Sequence, residues 1–141
     1  DKFKLKIEFM DALAAHARDL LKLEERTILA GDYNVIPRNE DCWDPRAWEG
    51  DALFRPETRA AYRSLLNLGY ADAYMQSDAS AHTYTFWDYQ AGAWAKDHGI
   101  RIDHLLLSPQ AADRLESVEI YKQARALEKA SDHVPIIATL G

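Results

Sequence analysis

The chain has 141 residues, 48% of them apolar and 28% charged, which suits one globular domain and excludes a disordered, collagen-like or disulfide-stapled chain. Its net charge is −6, from 17 basic and 23 acidic residues, which argues against nucleic acid as a partner unless some carboxylates hold divalent cations that meet the phosphates. No stretch approaches ~18 uninterrupted apolar residues, so no transmembrane helix is expected, and the single cysteine, Cys42, excludes an intrachain disulfide.

The chain opens with neither Met nor a signal-type apolar run, and is expected to be a piece of a longer polypeptide. Phe3, Ile7, Met10, Leu13, Ala14, Ala17 and Leu21 recur at helical spacing and predict an amphipathic helix over 3–23. A strand follows over 27–34, then a long ordered loop over 35–55 anchored by Trp43 and Trp48. Pro56 and Gly69 bracket a second helix. A short strand is expected over 70–75, and an aromatic, β-prone one over 83–89. The strongest strand, 100–107, comes after a loop over 90–99. A helical turn over 110–115 and strands over 117–123 and 134–140 complete the order. This order predicts an α+β fold, one mixed and mostly antiparallel sheet with helices on one face. Strands 27–34 and 134–140 are apolar on both faces, so the sheet asks for cover on its second side.

Several residues could carry chemistry. Asp32 and Asn34 share a strand face, and their oxygens suit a hard cation such as Mg²⁺; a strand end with turn-forming residues fits the same pattern. Ser131-Asp132-His133 precedes the last strand: Asp132 offers another oxygen, and His133 a base or a phosphate donor. Asp103 shares a face with Leu105 and Leu107, where an ionised carboxylate needs a partner, a histidine or a metal. His104, on the opposite face, reads as a satisfied polar residue at a sheet boundary. Phe86, Trp87 and Trp94 suit base stacking and core packing equally, whereas Tyr84 and Tyr89 read as core. Cys42 has no activating neighbour in sequence and reads as inert.

Four segments in this order resemble one family: Gly-Asp-Tyr-Asn-Val-Ile-Pro at 31–37, Tyr-Thr-Phe-Trp-Asp-Tyr at 84–89, Gly-Ile-Arg-Ile-Asp-His-Leu-Leu-Leu-Ser at 99–108 and Ser-Asp-His-Val-Pro at 131–135. They look like the C-terminal half of the exonuclease III family, within the endonuclease/exonuclease/phosphatase superfamily. The resemblance implies one half of a four-layer αββα sandwich and a metal-dependent DNA phosphodiester hydrolase, with Mg²⁺ (Mn²⁺ also possible) as cofactor. It implies 3′-5′ exodeoxyribonuclease and abasic-site endonuclease activity in base excision repair, on double-stranded DNA with abasic sites or 3′ ends. By the same resemblance Asp32 handles the proton, Asn34 positions the scissile phosphate, Asp103 fixes the tautomer of His133, and His133 contacts the phosphate. The implied metal residues are Asp32, Asn34, Asp132 and His133, and Phe86, Trp87, Trp94 and Arg101 are implied around the DNA.

The family's metal-binding glutamate, asparagine and active-site tyrosine would lie in an N-terminal half that this sequence does not contain. The chain alone is therefore expected to be nearly silent, with its open sheet face covered by that half or by a second copy. A cytoplasmic setting without membrane contact is expected. Met75 and Gln76 stand where the family often has an arginine, which puts one surface contact in doubt. Two other readings stand beside this one. The first is a phosphoinositide phosphatase or sphingomyelinase, which shares the Gly-Asp-x-Asn and Ser-Asp-His elements. The second is a non-catalytic half that only associates.

Overall fold

Asp1 starts the first helix by accepting a hydrogen bond from the Phe3 amide at 3.0 Å. The structure, a computed structural model, describes residues 1–141. Helix α1 spans Lys2–Leu21 and buries Met10 and Ala17 on its inner face. In chain order come β1 (Ile28–Asp32), α2 (Pro45–Trp48), α3 (Pro56–Leu68), β2 (Ala71–Asp72), α4 (Ala73–Ser77), α5 (Ala93–Lys96), β3 (Asp103–Leu107), α6 (Pro109–Ala112), β4 (Leu115–Ile120) and β5 (Ile136–Leu140). Short 3₁₀ turns occupy Asn39–Asp41 and Lys122–Ala126.

Strand β3 lies between β1 and β2, antiparallel to both, with Ile28 opposite Leu107 and Asp32 opposite Asp103. One face of this sheet carries Leu29 and Leu106 into a core shared with Met10, Ala17, Tyr62, Leu65 and Tyr70, so α1 and α3 cover it. The other face begins with Ile28, which is 40% exposed. On β5 Ile137, 46% exposed, and Thr139 turn to solvent, whereas Val134 just ahead of the strand is buried and Ile136 and Ala138 are half-buried. A second core joins Ile36, Cys42, Ile100 and Ile102, against which Trp43 and Trp48 pack, as expected of loop anchors. Cys42 is free and buried, and burial pushes its thiol pKa up, as suits an inert thiol.

Several strands are shorter than their sequences suggest. The pairing of 70–75 ends at Asp72, whose carboxylate turns back to accept from the Tyr74 and Met75 amides and starts α4. The aromatic run 83–89 is not a strand. Its contacts are isolated bridges from Phe86 to Ile100 and to His133, and the Thr85 and Phe86 amides share the Ile100 carbonyl. Residues 100–102 stay outside the ladder because the Arg101 amide donates to the Asp41 carbonyl instead. The expected single sheet is accordingly divided into a three-stranded ladder and the two-stranded β4–β5 ladder, and all pairings are antiparallel.

The 35–55 loop is held by a buried ionic hub. Arg101 has no exposed side-chain surface; its Nε donates to Asp41 at 2.9 Å and its Nη1 to Asp72 at 3.0 Å. Arg38 adds a 2.9 Å bond to Asp41, and the Tyr62 hydroxyl donates to Asp72 at 2.8 Å. Both carboxylates are therefore paired, the condition on which charges survive in an interior.

Candidate active site

The β1–β3 register sets Asp32 beside Asp103 at the end of the sheet. The segment carrying His133 is laid across that end by backbone bonds. The Trp87 amide donates to the Asp132 carbonyl at 3.0 Å, and the Val134 amide to the Thr85 carbonyl at 2.9 Å. His133 Nδ1 then lies 2.8 Å from Asp103 Oδ2, and its Nε2 lies 3.6 Å from Asp32 Oδ2. This is the partner that a carboxylate on a leucine-bearing face required. Thr85 Oγ1 accepts from the Ile102 and Asp103 amides at 3.0 and 3.2 Å, which locks the backbone beneath Asp103. The Phe86 ring meets the imidazole edge-on, with ring centroids 5.1 Å apart.

The electrostatics follow from this placement. Burial alone would lower the His133 pKa, but the hydrogen bond and charge of Asp103, together with Asp32 and Asp132, raise it overall. Burial raises the Asp103 pKa, aided by the Asp32 charge and opposed by bonds from His133 and Thr85. Because Asp103 accepts at Nδ1, that nitrogen carries the proton and Nε2 faces the open side.

Asp32, Asp103 and His133 present ligand atoms that all lie within 4.8 Å of one another. Two carboxylates and one imidazole are a donor set that fits a hard divalent cation. Asn34 stands at the rim in a left-handed turn, φ 50°, and its amide donates to Asp32 Oδ1 at 2.9 Å. The carboxylate of Asp132 does not join the cluster, although its charge is felt by His133.

Two of the residues expected to face DNA, Arg101 and Trp87, need correction. Arg101 is enclosed in the hub and cannot reach a phosphate. Trp87 is 1% exposed, with its indole N–H committed to Asp97. Trp94 is half-buried, edge-on to Trp87 and flanked by Lys122 and Arg125. Tyr89, read as core, is exposed instead, because its ring rests on the Arg125 guanidinium at the surface. His104 is fully buried as a satisfied polar group. Its Nε2 donates to the Val35 carbonyl at 2.9 Å, and burial pushes its pKa down to about 4. Sequence reasoning missed Thr85, hidden in an aromatic run, and the stacking of Trp43 on His98 at 3.7 Å, whose partners lie far apart in the chain.

A carboxylate pair and an imidazole at the end of an antiparallel sheet can move protons and offer ligands to a hard cation. The chain belongs to the Endonuclease/Exonuclease/phosphatase family, which it matches over residues 3–133. It is 31% identical to exodeoxyribonuclease III of Haemophilus influenzae over 97% of its own length and 54% of that protein's. Its fold superposes with a TM-score of 0.96 on the 3′ phosphatase NExo from Neisseria bound to a product DNA hairpin, at 34% identity, covering 100% of this chain and 55% of that one. An AP endonuclease from Archaeoglobus fulgidus gives 0.93 at 28% identity, covering 99% of this chain and 55% of that one. The chain thus spans about half the length of these relatives.

Proposed function

We propose that this chain supplies part of a metal-dependent DNA phosphodiester hydrolase of the exonuclease III type, acting on abasic sites and 3′ ends in base excision repair. The observation that carries this reading is the Asp32–His133–Asp103 arrangement. The names of the relatives support DNA as the substrate. Asp103 holds His133 in the tautomer that leaves Nε2 toward the substrate. Protonated His133 donates to a phosphate oxygen, and its raised pKa keeps that form populated closer to neutral pH. Asp32 takes or returns the proton of the attacking water and leaving oxygen. Asn34 contributes its amide side chain at the rim. Mg²⁺ or Mn²⁺ held by the Asp32 carboxylate would neutralise charge on the phosphate and the leaving oxygen. Phe86, beside the imidazole, lines the approach for a sugar.

Two measurements test the reading. Mn²⁺ added to the chain should broaden the NMR signals of Asp32 and His133 first, and Asp32→Asn should abolish that selectivity. Fused behind the N-terminal half of the Haemophilus influenzae relative, the chain should incise a duplex with an abasic site, and Asp32→Asn or His133→Ala should each slow this by ~10²-fold or more. Turnover of an inositol phosphate with none on the duplex would move the protein to a phosphatase role.

A further inference from the structure

Lys6 lies on the second turn of α1, in a segment that the sequence marks only as an amphipathic helix. Its Nζ crosses to the catalytic end of β1 and donates to the Asn34 carbonyl at 2.6 Å. The same ammonium reaches the Ala52 carbonyl at 3.4 Å, in the loop that leads into α3. It thereby closes a junction of three segments that are far apart in sequence.

Asn34 sits at φ 50°, a left-handed conformation that asparagine adopts more readily than most residues with a Cβ. Three bonds hold it here. The Tyr33 amide donates to the Ile102 carbonyl at 3.0 Å and fixes the peptide before the turn. The Asn34 amide donates to Asp32 Oδ1 at 2.9 Å and fixes the middle peptide. Lys6 fixes the peptide after it, through the Asn34 carbonyl. Only the middle bond touches a site carboxylate directly, and its geometry depends on the two that flank it. The Asn34 backbone is exposed, so without the ammonium water would take its carbonyl and the turn would lose its tie to α1.

We propose that Lys6 is a positioning residue of the site: by holding the Asn34 carbonyl it keeps the Asn34 amide on Asp32 and so fixes the orientation of the Asp32 carboxylate. This rests on the reading of Asp32 as a site residue. Lys6 touches neither substrate nor metal. Burial lowers its pKa, while the charges of Asp51 and Asp32 act to keep it charged. Lys6 thus belongs to the electrostatic field of the site as well as to its framework.

The experiment uses the 141-residue chain without metal or DNA, and the variants Lys6→Met and Lys6→Arg. Lys6→Met should accelerate hydrogen exchange at the Asn34 amide about tenfold or more and leave the Leu106 amide, in the covered core, unchanged. It should also shift the ¹³C signal of the Asp32 carboxyl carbon and leave that of Asp41 in place. Lys6→Arg, which keeps a donor at the junction, should restore both signals most of the way. Unchanged Asn34 exchange in Lys6→Met overturns the proposal. So does a loss of protection that extends equally to Leu106, since that would make Lys6 a general packing residue. Because neither readout involves metal or nucleic acid, failure of the proposed nuclease activity and failure of this inference would be seen separately.

Discussion

His133 stands between two carboxylates that do different work. Asp103 binds Nδ1 at 2.8 Å and is part-buried, whereas Asp32 faces Nε2 at 3.6 Å and is open to solvent. Removing the first should therefore matter more for the imidazole. Asp103→Asn should lower the His133 pKa, read from the ring proton shifts against pH, because the largest raising influence is lost while burial remains. The pair also affects stability. A histidine whose pKa is raised by folding contributes in full below its unfolded value of about 6.5, and that contribution disappears as pH rises through the folded value. Wild-type stability should fall across that window, and Asp103→Asn should flatten the slope, measured by urea unfolding at several pH values. That Asp103 needs a partner was legible because a carboxylate among leucines demands one, whereas His133 as that partner came from the family resemblance. The absence of Asp132 from the cluster was not legible, since adjacency in sequence fixes no side-chain direction.

Among elements, the helices were read more accurately than the strands. Apolar spacing in α1 and the Pro–Gly bracket of α3 are local signals, and both appear within a few residues of where they were expected. Residues 83–89 have strand composition but spend their backbone bonds on isolated bridges, and composition does not report where those bonds go. Arg101 was misplaced for a related reason: a basic residue within a hydrophobic run reads as a surface contact until Asp41 and Asp72 are seen around it. Arg101→Met should cost about 3–5 kcal/mol in denaturant unfolding, because it leaves buried Asp72 with no cation and buried Asp41 with Arg38 alone. Burial pushes the Asp41 pKa up, but its bonds to Arg38 and Arg101 outweigh this and hold it low. That contribution is present above the unfolded carboxyl value of about 3.9 and fades as pH falls through the folded one. Gly99 is another fixed point, since a Cβ there would lie 2.5 Å from the Tyr84 ring. Gly99→Ala should lower stability by about 1–3 kcal/mol, seen as a reduced thermal midpoint.

At the scale of the whole molecule, the sheet is covered on one face and partly open on the other. Along the free edge of β1, Phe9, 65% exposed, and Ile28, 40% exposed, line a groove of about 490 Å³ between α1 and β1 that ends at Asp32 and Asn34. An open apolar groove of this kind binds hydrophobic dyes. The double variant Phe9→Ser, Ile28→Thr should therefore bind less anilinonaphthalene sulfonate, with its thermal midpoint nearly unchanged. Equal dye binding would place the exposed surface elsewhere. The two-sided apolar strands announced this openness in the sequence, but the share of each face left bare depended on packing by α4, α6 and β4, which no local pattern revealed.

Asp103 and His133 meet across 30 positions, and the later part of the segment between them, 121–130, lies largely at the surface, with Leu127 68% exposed. A polypeptide leaving the ribosome can close Met10 against Leu65 well before it has an imidazole to set beside Asp103. Until then the two aspartates repel each other without His133 between them, so the proposed site is completed late in synthesis. The order also runs in reverse. A protease that nicks the exposed stretch around Leu127 would free His133 from its seat while the helical core stays intact, and would disarm the molecule without unfolding it.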